Sequence, residues 1–358
     1  MPFFSDEVYA ARRAALQQQV SGGGGYVVGA GAELAYLTGF HGSSHERLTA
    51  LVVTKDALTL LAPLTDVETV SNEASLVGVD VVGWGDGEDV YGIVAKHLPP
   101  GPARLTASLT ADHVFELQAK VGDAQLAAAD FAVKDEGEIS ELARAGAAID
   151  RVHGQVPELL LPDRTEAQVA EDLTELIAAE HHSVDFVIVG SGANGANPHH
   201  EFSQRTLRVG DPVVVDIGGT LSSGYHSDCT RTYVVGGAGA GEEFADAFRA
   251  VLDAQEAAVG AARPGMTAGE LDAVARECLD AAGYGQRFTH RLGHGIGLAV
   301  HEQPFIIAGN DTVLREGMAF SIEPGVYLPG KFGVRIEDIV VLEAGGARRL
   351  NNVTRSLR

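Results

Sequence analysis

Asp216 closes the β-branched run Val213-Val214-Val215, and Asp228 follows twelve residues later, just ahead of Thr230-Arg231-Thr232-Tyr233-Val234-Val235. A valine run of this kind suits a strand covered on both faces. The Gly218-Gly219 pair between the two acids predicts a hairpin whose register can bring them together. Two carboxylates held side by side in an apolar setting repel each other, so they must share a proton or hold a cation. Taken alone, the stretch also fits two solvated loop aspartates.

The pattern then recurs. Leu207-Arg208-Val209-Gly210-Asp211-Pro212-Val213-Val214-Val215-Asp216 is matched by Leu314-Arg315-Glu316-Gly317-Met318-Ala319-Phe320-Ser321-Ile322-Glu323, with Leu, Arg, Gly and the closing acid at equal offsets. A second predicted strand, Gly333–Val341, carries Glu337. Upstream of each copy lies Pro-x-x-Thr-x-x-Gln or Glu, at Pro162…Thr165…Gln168 and Pro264…Thr267…Glu270. This is the signature of a capping box opening a helix. The C-terminal half therefore reads as two related helix-plus-sheet units with four carboxylates between them.

Eight of the thirteen histidines lie between His181 and His301. His199 and His200 end a polar, glycine-rich loop that starts at Gly192. The segment His290-Arg291-Leu292-Gly293-His294-Gly295-Ile296-Gly297-Leu298 precedes His301-Glu302, and its glycines let backbone approach closely. Its glycine spacing is not that of a dinucleotide loop, and a lone histidine in such a segment is more often structural. One imidazole added to four carboxylates gives oxygen-dominated coordination. That suits Mn, Co, Fe or Zn in a two-metal hydrolytic site better than a structural zinc.

The elements that must position these groups come next. With 358 residues, 45% hydrophobic and 21% charged, two folded domains are expected. A formal net charge of −23 makes nucleic acid and anionic membranes poor partners. Cys229 and Cys278 form no disulfide framework, which with the absence of a signal-peptide pattern predicts a cytoplasmic protein. Cys229 is expected to be a small buried residue beside Asp228 rather than a nucleophile.

Residues 1–133 alternate between strand and helix. Met1–Val20 reads as an amphipathic helix, Tyr26–Val28 as a strand, and Leu48–Val53 with Ala57–Leu61 as a hairpin. A helix from Asp66, a strand at Val77–Val82, a helix at Asp89–His97, a strand near Leu105 and a helix from Asp112 complete a small α/β domain. A long helix from about Glu138 opens the second domain, 134–358. Pro157 kinks or ends that helix, and Pro162 stops it.

Asp216…Asp228, Gly293-His294-Gly295-Ile296-Gly297-Leu298, Glu323-Pro324-Gly325 and Arg335-Ile336-Glu337-Asp338 resemble the motifs of the pita-bread metallopeptidases, which include prolidase, aminopeptidase P and methionine aminopeptidase. The N-terminal segment, with Ala35-Tyr36-Leu37-Thr38-Gly39-Phe40, resembles the creatinase-type domain of the first two; methionine aminopeptidases typically lack it. The resemblance implies an α+β protein: a C-terminal pita-bread fold with pseudo-twofold duplicated halves, preceded by a smaller α/β creatinase-like domain.

It further implies two divalent ions, manganese first, with cobalt, zinc or iron as the others. Asp216 would hold one, His294 and Glu323 the other, and Asp228 and Glu337 would bridge. A hydroxide between the ions would attack the carbonyl before proline, with Glu323 moving its proton. His199, His290 and His301 would orient substrate or stabilise the oxyanion, and Arg335 would order the site or bind a substrate carboxylate. The implied substrate is a proline-containing peptide or dipeptide, and the implied assembly a homodimer.

No Lys or Arg lies between His301 and Leu314, where some prolidases carry a carboxylate anchor, and Phe305 stands there instead. That absence favours an Xaa-Pro peptidase acting at peptide N-termini and tolerating dipeptides; a strict Xaa-Pro dipeptidase is the alternative. A catalytically silent binding module and a creatinase-like amidinohydrolase are remoter, because the five ligand positions are intact.

Overall fold

The computed structural model describes residues 2–20, 22–42, 46–127, 131–237 and 239–357. The chain divides into two compact units, Met1–Phe131 and Ala132–Arg358.

In the first unit the described residues form one six-stranded sheet in the order β4-β3-β2-β1-β5-β6. Its strands are β1 Gly25–Gly29, β2 Ala50–Val53, β3 Leu58–Pro63, β4 Asp80–Trp84, β5 Ala103–Leu105 and β6 Ala124–Leu126. β1, β2 and β3 pair antiparallel, while β3–β4, β1–β5 and β5–β6 are parallel. The central strands are apolar throughout because both faces are covered. Val28, Leu51 and Leu60 pack with Leu16, Leu34, Leu37 and Val70 on one side. Their neighbours Val27, Val52 and Leu61 pack with Val94 and Leu117 on the other. This period-2 division is what a pleated strand imposes. The expected elements are present, but the strand expected at Val77–Val82 begins at Asp80. Gly78, at φ 77°, makes a turn that the apolar spacing alone does not reveal.

The second unit opens with the helix Glu136–His153, capped by a box between Asp135 and Glu138. It ends before Pro157, which sits in the first turn of the short helix Val156–Leu159, where a missing N–H is harmless. The helices Glu166–Glu180 and Ala268–Ala281 both carry the expected capping boxes. Thr165 Oγ1 accepts from Gln168 N (3.2 Å) and Thr267 Oγ1 accepts from Glu270 N (3.1 Å).

β7 Ser183–Ser191, β8 Pro212–Thr220 and β9 Cys229–Val234 form an antiparallel sheet whose core includes Ile149, Val169, Leu173, Val213, Val215 and Ile217. The second copy contains β10 Gly293–Gly295, β11 Glu302–Ile306, β12 Ala319–Ile322, β13 Gly325–Leu328, β14 Phe332–Arg335, β15 Asp338–Glu343 and β16 Gly346–Arg349. These make a sheet in the order β11-β10-β12-β15-β16 and a separate β13–β14 pair. The helices Glu242–Ala261 and Ala268–Ala281 cover it through Val251, Ala254, Leu271 and Ala275, against Phe320, Ile322, Val334 and Val340. Isolated bridges Thr165–Thr206 and Thr267–Val313 recur at matching places in the two copies.

Besides the extra strands of the second copy, the acid-bearing hairpins differ. The single strand expected over Gly333–Val341 is broken at Ile336-Glu337 into β14 and β15. Pro324, opposite the break, has no N–H to donate to a ladder. The register is nevertheless unchanged across it: Ile322 faces Asp338 on one side and Gly325 faces Arg335 on the other. Glu323 and Glu337 therefore occupy the opposed positions in a gap within one long hairpin. No helix among the described residues is long and apolar enough to cross a membrane.

Candidate active site

The two hairpins each present a pair of acids. Asp216 faces Thr230 across β8–β9, so Asp228, two residues earlier, is its diagonal neighbour on the same face. In the gap of the second hairpin the main chain bonds sideways. Glu323 N–H donates to the Leu292 carbonyl (2.9 Å) and Glu337 N–H to the Thr230 carbonyl (3.1 Å). The second of those bonds ties the acids of the second copy to strand β9 of the first, while the first ties Glu323 to the residue before β10. Thr230 Oγ1 also donates to Glu337 Oε2 (2.7 Å).

Three sets of side chains bring ligand-type atoms within 4.8 Å of one another: Asp216, Asp228 and Glu337; His294, Glu323 and Glu337; and Asp228, His294 and His301. All five residues expected as ligands are thus brought together. Asp228, Glu337 and His294 each belong to two sets, and the first two are the acids that do so.

Whether this cluster fits cations can be tested on its own chemistry. Asp216 Oδ1 and Glu337 Oε1 are buried with no hydrogen-bond partner among the described residues. Burial, then repulsion from Glu337, Asp216 and Glu323, pushes Asp228 well above the carboxylate range; burial and the Glu323 charge do the same to Glu337. Burial lifts Glu323 to about 7. His294 is neutral, because burial and the neighbouring His301 lower it to about 3.

A carbonyl can only accept, so His294 Nδ1–H donates to the Gly295 carbonyl (3.1 Å), leaving the Nε2 lone pair exposed. That lone pair lies 3.5 Å from Asp228 Oδ2 and 3.5 Å from Glu323 Oε1. A lone pair aimed at two carboxylates is repulsive unless a proton or a cation lies between them. The donor set fits divalent cations.

The local sequence explains how His294 gets there. A Cβ on Gly293 would come 1.9 Å from the Ser321 carbonyl oxygen, and one on Gly295 would come 2.3 Å from that of Gln303. Only glycine on both sides lets β10 lie between β11 and β12 with His294 facing the acids.

The other expected residues line the same cavity of about 1060 Å³, which also includes Asp185, Phe186, Phe202, Arg276 and Arg291. His301 lies edge-on to His294, ring centroids 4.1 Å apart. His199 is exposed at the cavity wall. His290 lines the cavity as well, with both ring nitrogens bonded. Its Nδ1–H donates to the Arg291 carbonyl (2.7 Å), so Nε2 accepts from Tyr327 O–H (2.8 Å). Both nitrogens are engaged, and His290 holds Tyr327 in place.

Arg335 is buried and fully used. Its Nη2 meets Asp216 Oδ2 (2.7 Å), its Nη1 the Tyr327 oxygen (2.8 Å) and its Nε the Thr230 oxygen (3.2 Å). Tyr327 is the residue sequence reasoning missed. It lies in the unpredicted strand β13, and only the hairpin register sets it near Arg335. Cys229 is buried, with its Sγ toward the Glu337 carbonyl and its thiol pushed up by burial, as a packing residue would be.

His301→Ala and His199→Ala are each expected to lower kcat by about 10²-fold, the usual scale for losing a proton-handling or orienting group, with bound metal retained. Metal analysis alongside kinetics checks this. Metal lost in parallel with activity would make that histidine a ligand, as the grouping of His301 with Asp228 and His294 allows.

Comparison with known proteins agrees with this geometry. Residues 140–344 match metallopeptidase family M24, and residues 12–135 match the creatinase/prolidase N-terminal domain. The chain is 48% identical to a probable dipeptidase PepE from Mycobacterium bovis, covering 99% of this chain and 97% of that one. It is 38% identical to an Xaa-Pro dipeptidase from Lactobacillus delbrueckii subsp. lactis, over 90% of this chain and 91% of the relative. The crystal structure of dipeptidase PepE from Mycobacterium ulcerans superposes with a TM-score of 0.94 at 47% identity, covering 99% and 98% of the two chains. The duplicated hairpins, the convergent acids and these matches have one reading: the chain belongs to metallopeptidase family M24, with a creatinase/prolidase N-terminal domain ahead of its pita-bread fold.

Proposed function

We propose that the protein is a metal-dependent Xaa-Pro dipeptidase whose catalytic domain is 134–358 and whose N-terminal domain is 1–133. The observation that carries the reading is the ligand cluster, in which Asp228 and Glu337 are each shared between two sets within one cavity. Shared acids suit bridging positions. Asp216 would complete one ion's coordination, and His294 with Glu323 the other's. When bound, two divalent ions supply Lewis acidity and make water nucleophilic near neutral pH. Manganese as the working ion, a homodimer and a cytoplasmic location belong to the same proposal.

The protein's own groups would then do the following. Glu323, at the edge of the cluster, accepts the proton of the attacking water and returns it to the departing pyrrolidine nitrogen. His301 and His199, on the cavity wall, donate to the carbonyl oxygen as it gains charge. Arg335 neutralises Asp216 and, through Tyr327 and His290, keeps the wall rigid.

An X-Pro bond is a tertiary amide without an N–H, so enzymes that bind substrate as an added strand lack the donor they need. A shaped cavity beside an activated water does not need it. The names of the relatives support a dipeptidase over an enzyme for longer peptides. The sequence-based preference for the latter rested on the missing cation between His301 and Leu314, but an anchor need not be near in sequence. An Xaa-Pro dipeptide is therefore expected to show kcat/KM about 100-fold above the same pair extended by two residues, equivalent to about 2.7 kcal/mol. Equal or faster cleavage of the longer peptide would return the reading to an aminopeptidase.

A further inference from the structure

A dipeptidase must hold the free carboxylate of its substrate, yet this chain carries a net charge of −23 and packs four acids at the cavity floor. An anionic substrate end needs a cation there. Among the described residues lining the cavity, the permanent cations are Arg276, Arg291 and Arg335.

Two are committed. Arg335 is spent on Asp216, Tyr327 and Thr230. Arg276 grips Asp272 through two nitrogens, at 2.5 and 3.1 Å, and also donates to the Phe288 and His290 carbonyls. Arg291 has no such partner: no carboxylate among the described residues lies within ion-pair distance of its guanidinium. It is partly exposed, and its carbon lies 4.7 Å from the centroid of the Phe305 ring.

Phe305 faces His294 across β10–β11, so the guanidinium is stacked beside the strand that carries the imidazole. Stacking on an aromatic face restrains a guanidinium while leaving its N–H edge free to take a carboxylate through two parallel bonds. The Arg291 charge also reaches the reacting groups, since after burial it is the next cause holding His301 below its usual range.

We propose that Arg291, held over Phe305, binds the C-terminal carboxylate of the dipeptide and so sets the preference for dipeptides. Phe305 thus supports a cation from the segment just before β10 in place of carrying one. This inference rests on the dipeptidase reading.

The test compares an Xaa-Pro dipeptide with its C-terminal amide on wild type, Arg291→Met and Arg291→Lys, with bound manganese measured throughout. Wild type is expected to favour the free acid by about 30-fold or more, the scale of a charge-assisted bidentate pair. Arg291→Met should reduce that preference at least tenfold, chiefly through a raised KM for the acid, with a much smaller effect on the amide and metal content retained. Arg291→Lys should recover part of the preference, because it keeps the charge but loses the fork. If wild type favours the acid and Arg291→Met does so equally, or if the variant loses acid and amide in step, the Arg291 assignment falls and the dipeptidase reading stands. If wild type itself does not distinguish acid from amide, both fall.

Discussion

Asp228→Asn and Glu337→Gln are each expected to remove hydrolysis, by 10³-fold or more on the scale set by loss of a metal-activated water, while the protein stays folded. Each acid belongs to two of the three ligand sets, so losing one carboxylate should reduce metal binding at both positions. The structural consequence has the opposite sign. Without cations, both side chains are buried among other acids and held well above the normal carboxylate range by burial first and mutual repulsion second. A neutral amide of the same shape removes that repulsion, so the metal-free variants should melt at or above the metal-free wild type. Metal content per chain, kcat/KM and melting temperature form the test. A variant with full metal and activity within a few-fold of wild type would overturn the two-ion arrangement.

Stripping divalent ions with a chelator should bring the native enzyme to background and lower its melting temperature, and added Mn²⁺ should restore both. An ion present at 100 times its Kd contributes about 2.7 kcal/mol, or about 4 °C for a chain of this size. The metal-free state should also show a pH signature at Glu323. Its carboxyl is lifted from 4.5 to about 7, chiefly by burial. A raised folded-state value means that the side chain's contribution is intact below about pH 4.5 and is lost as pH rises through about 7. Metal-free Glu323→Gln should therefore gain on metal-free wild type across that window and hold a constant margin above it. Using the difference between the two proteins cancels the buried histidines common to both. A margin that does not change with pH would show that Glu323 is not burdened by burial, and with it the case for a cation-demanding cluster would weaken.

Much of this was legible in the chain. The duplicated Leu-Arg-x-Gly pattern ending on Asp216 and on Glu323, the two capping boxes and the apolar strand runs are local regularities. Local periodicity is set by the backbone geometry of helices and strands, which is why the capped helices at Thr165 and Thr267 and the alternation across β1–β3 could be read directly. The motif residues Asp216, Asp228, His294, Glu323 and Glu337 stand out as a set in the sequence, and the fold brings them together.

What the sequence could not supply is anything fixed by register or by an orphaned bond. The break at Ile336-Glu337 follows from Pro324 lying opposite it, a relation that exists only once the hairpin has formed. Tyr327 becomes a partner of Arg335 and His290 because β13 pairs with β14 beside that break, setting Tyr327 across from Gly333. That His290 bonds Tyr327 and the Arg291 carbonyl is visible only in the fold. Arg291 lies fourteen residues before Phe305, and no spacing rule joins them. Antiparallel pairing of β10 with β11 sets Phe305 across from His294, and the arginine then finds its ring. Residue type determined which chemistry was available to this protein. The tertiary structure decided which of those groups are already occupied and which remain free to act, because occupancy depends on distances between strands that the linear chain does not contain.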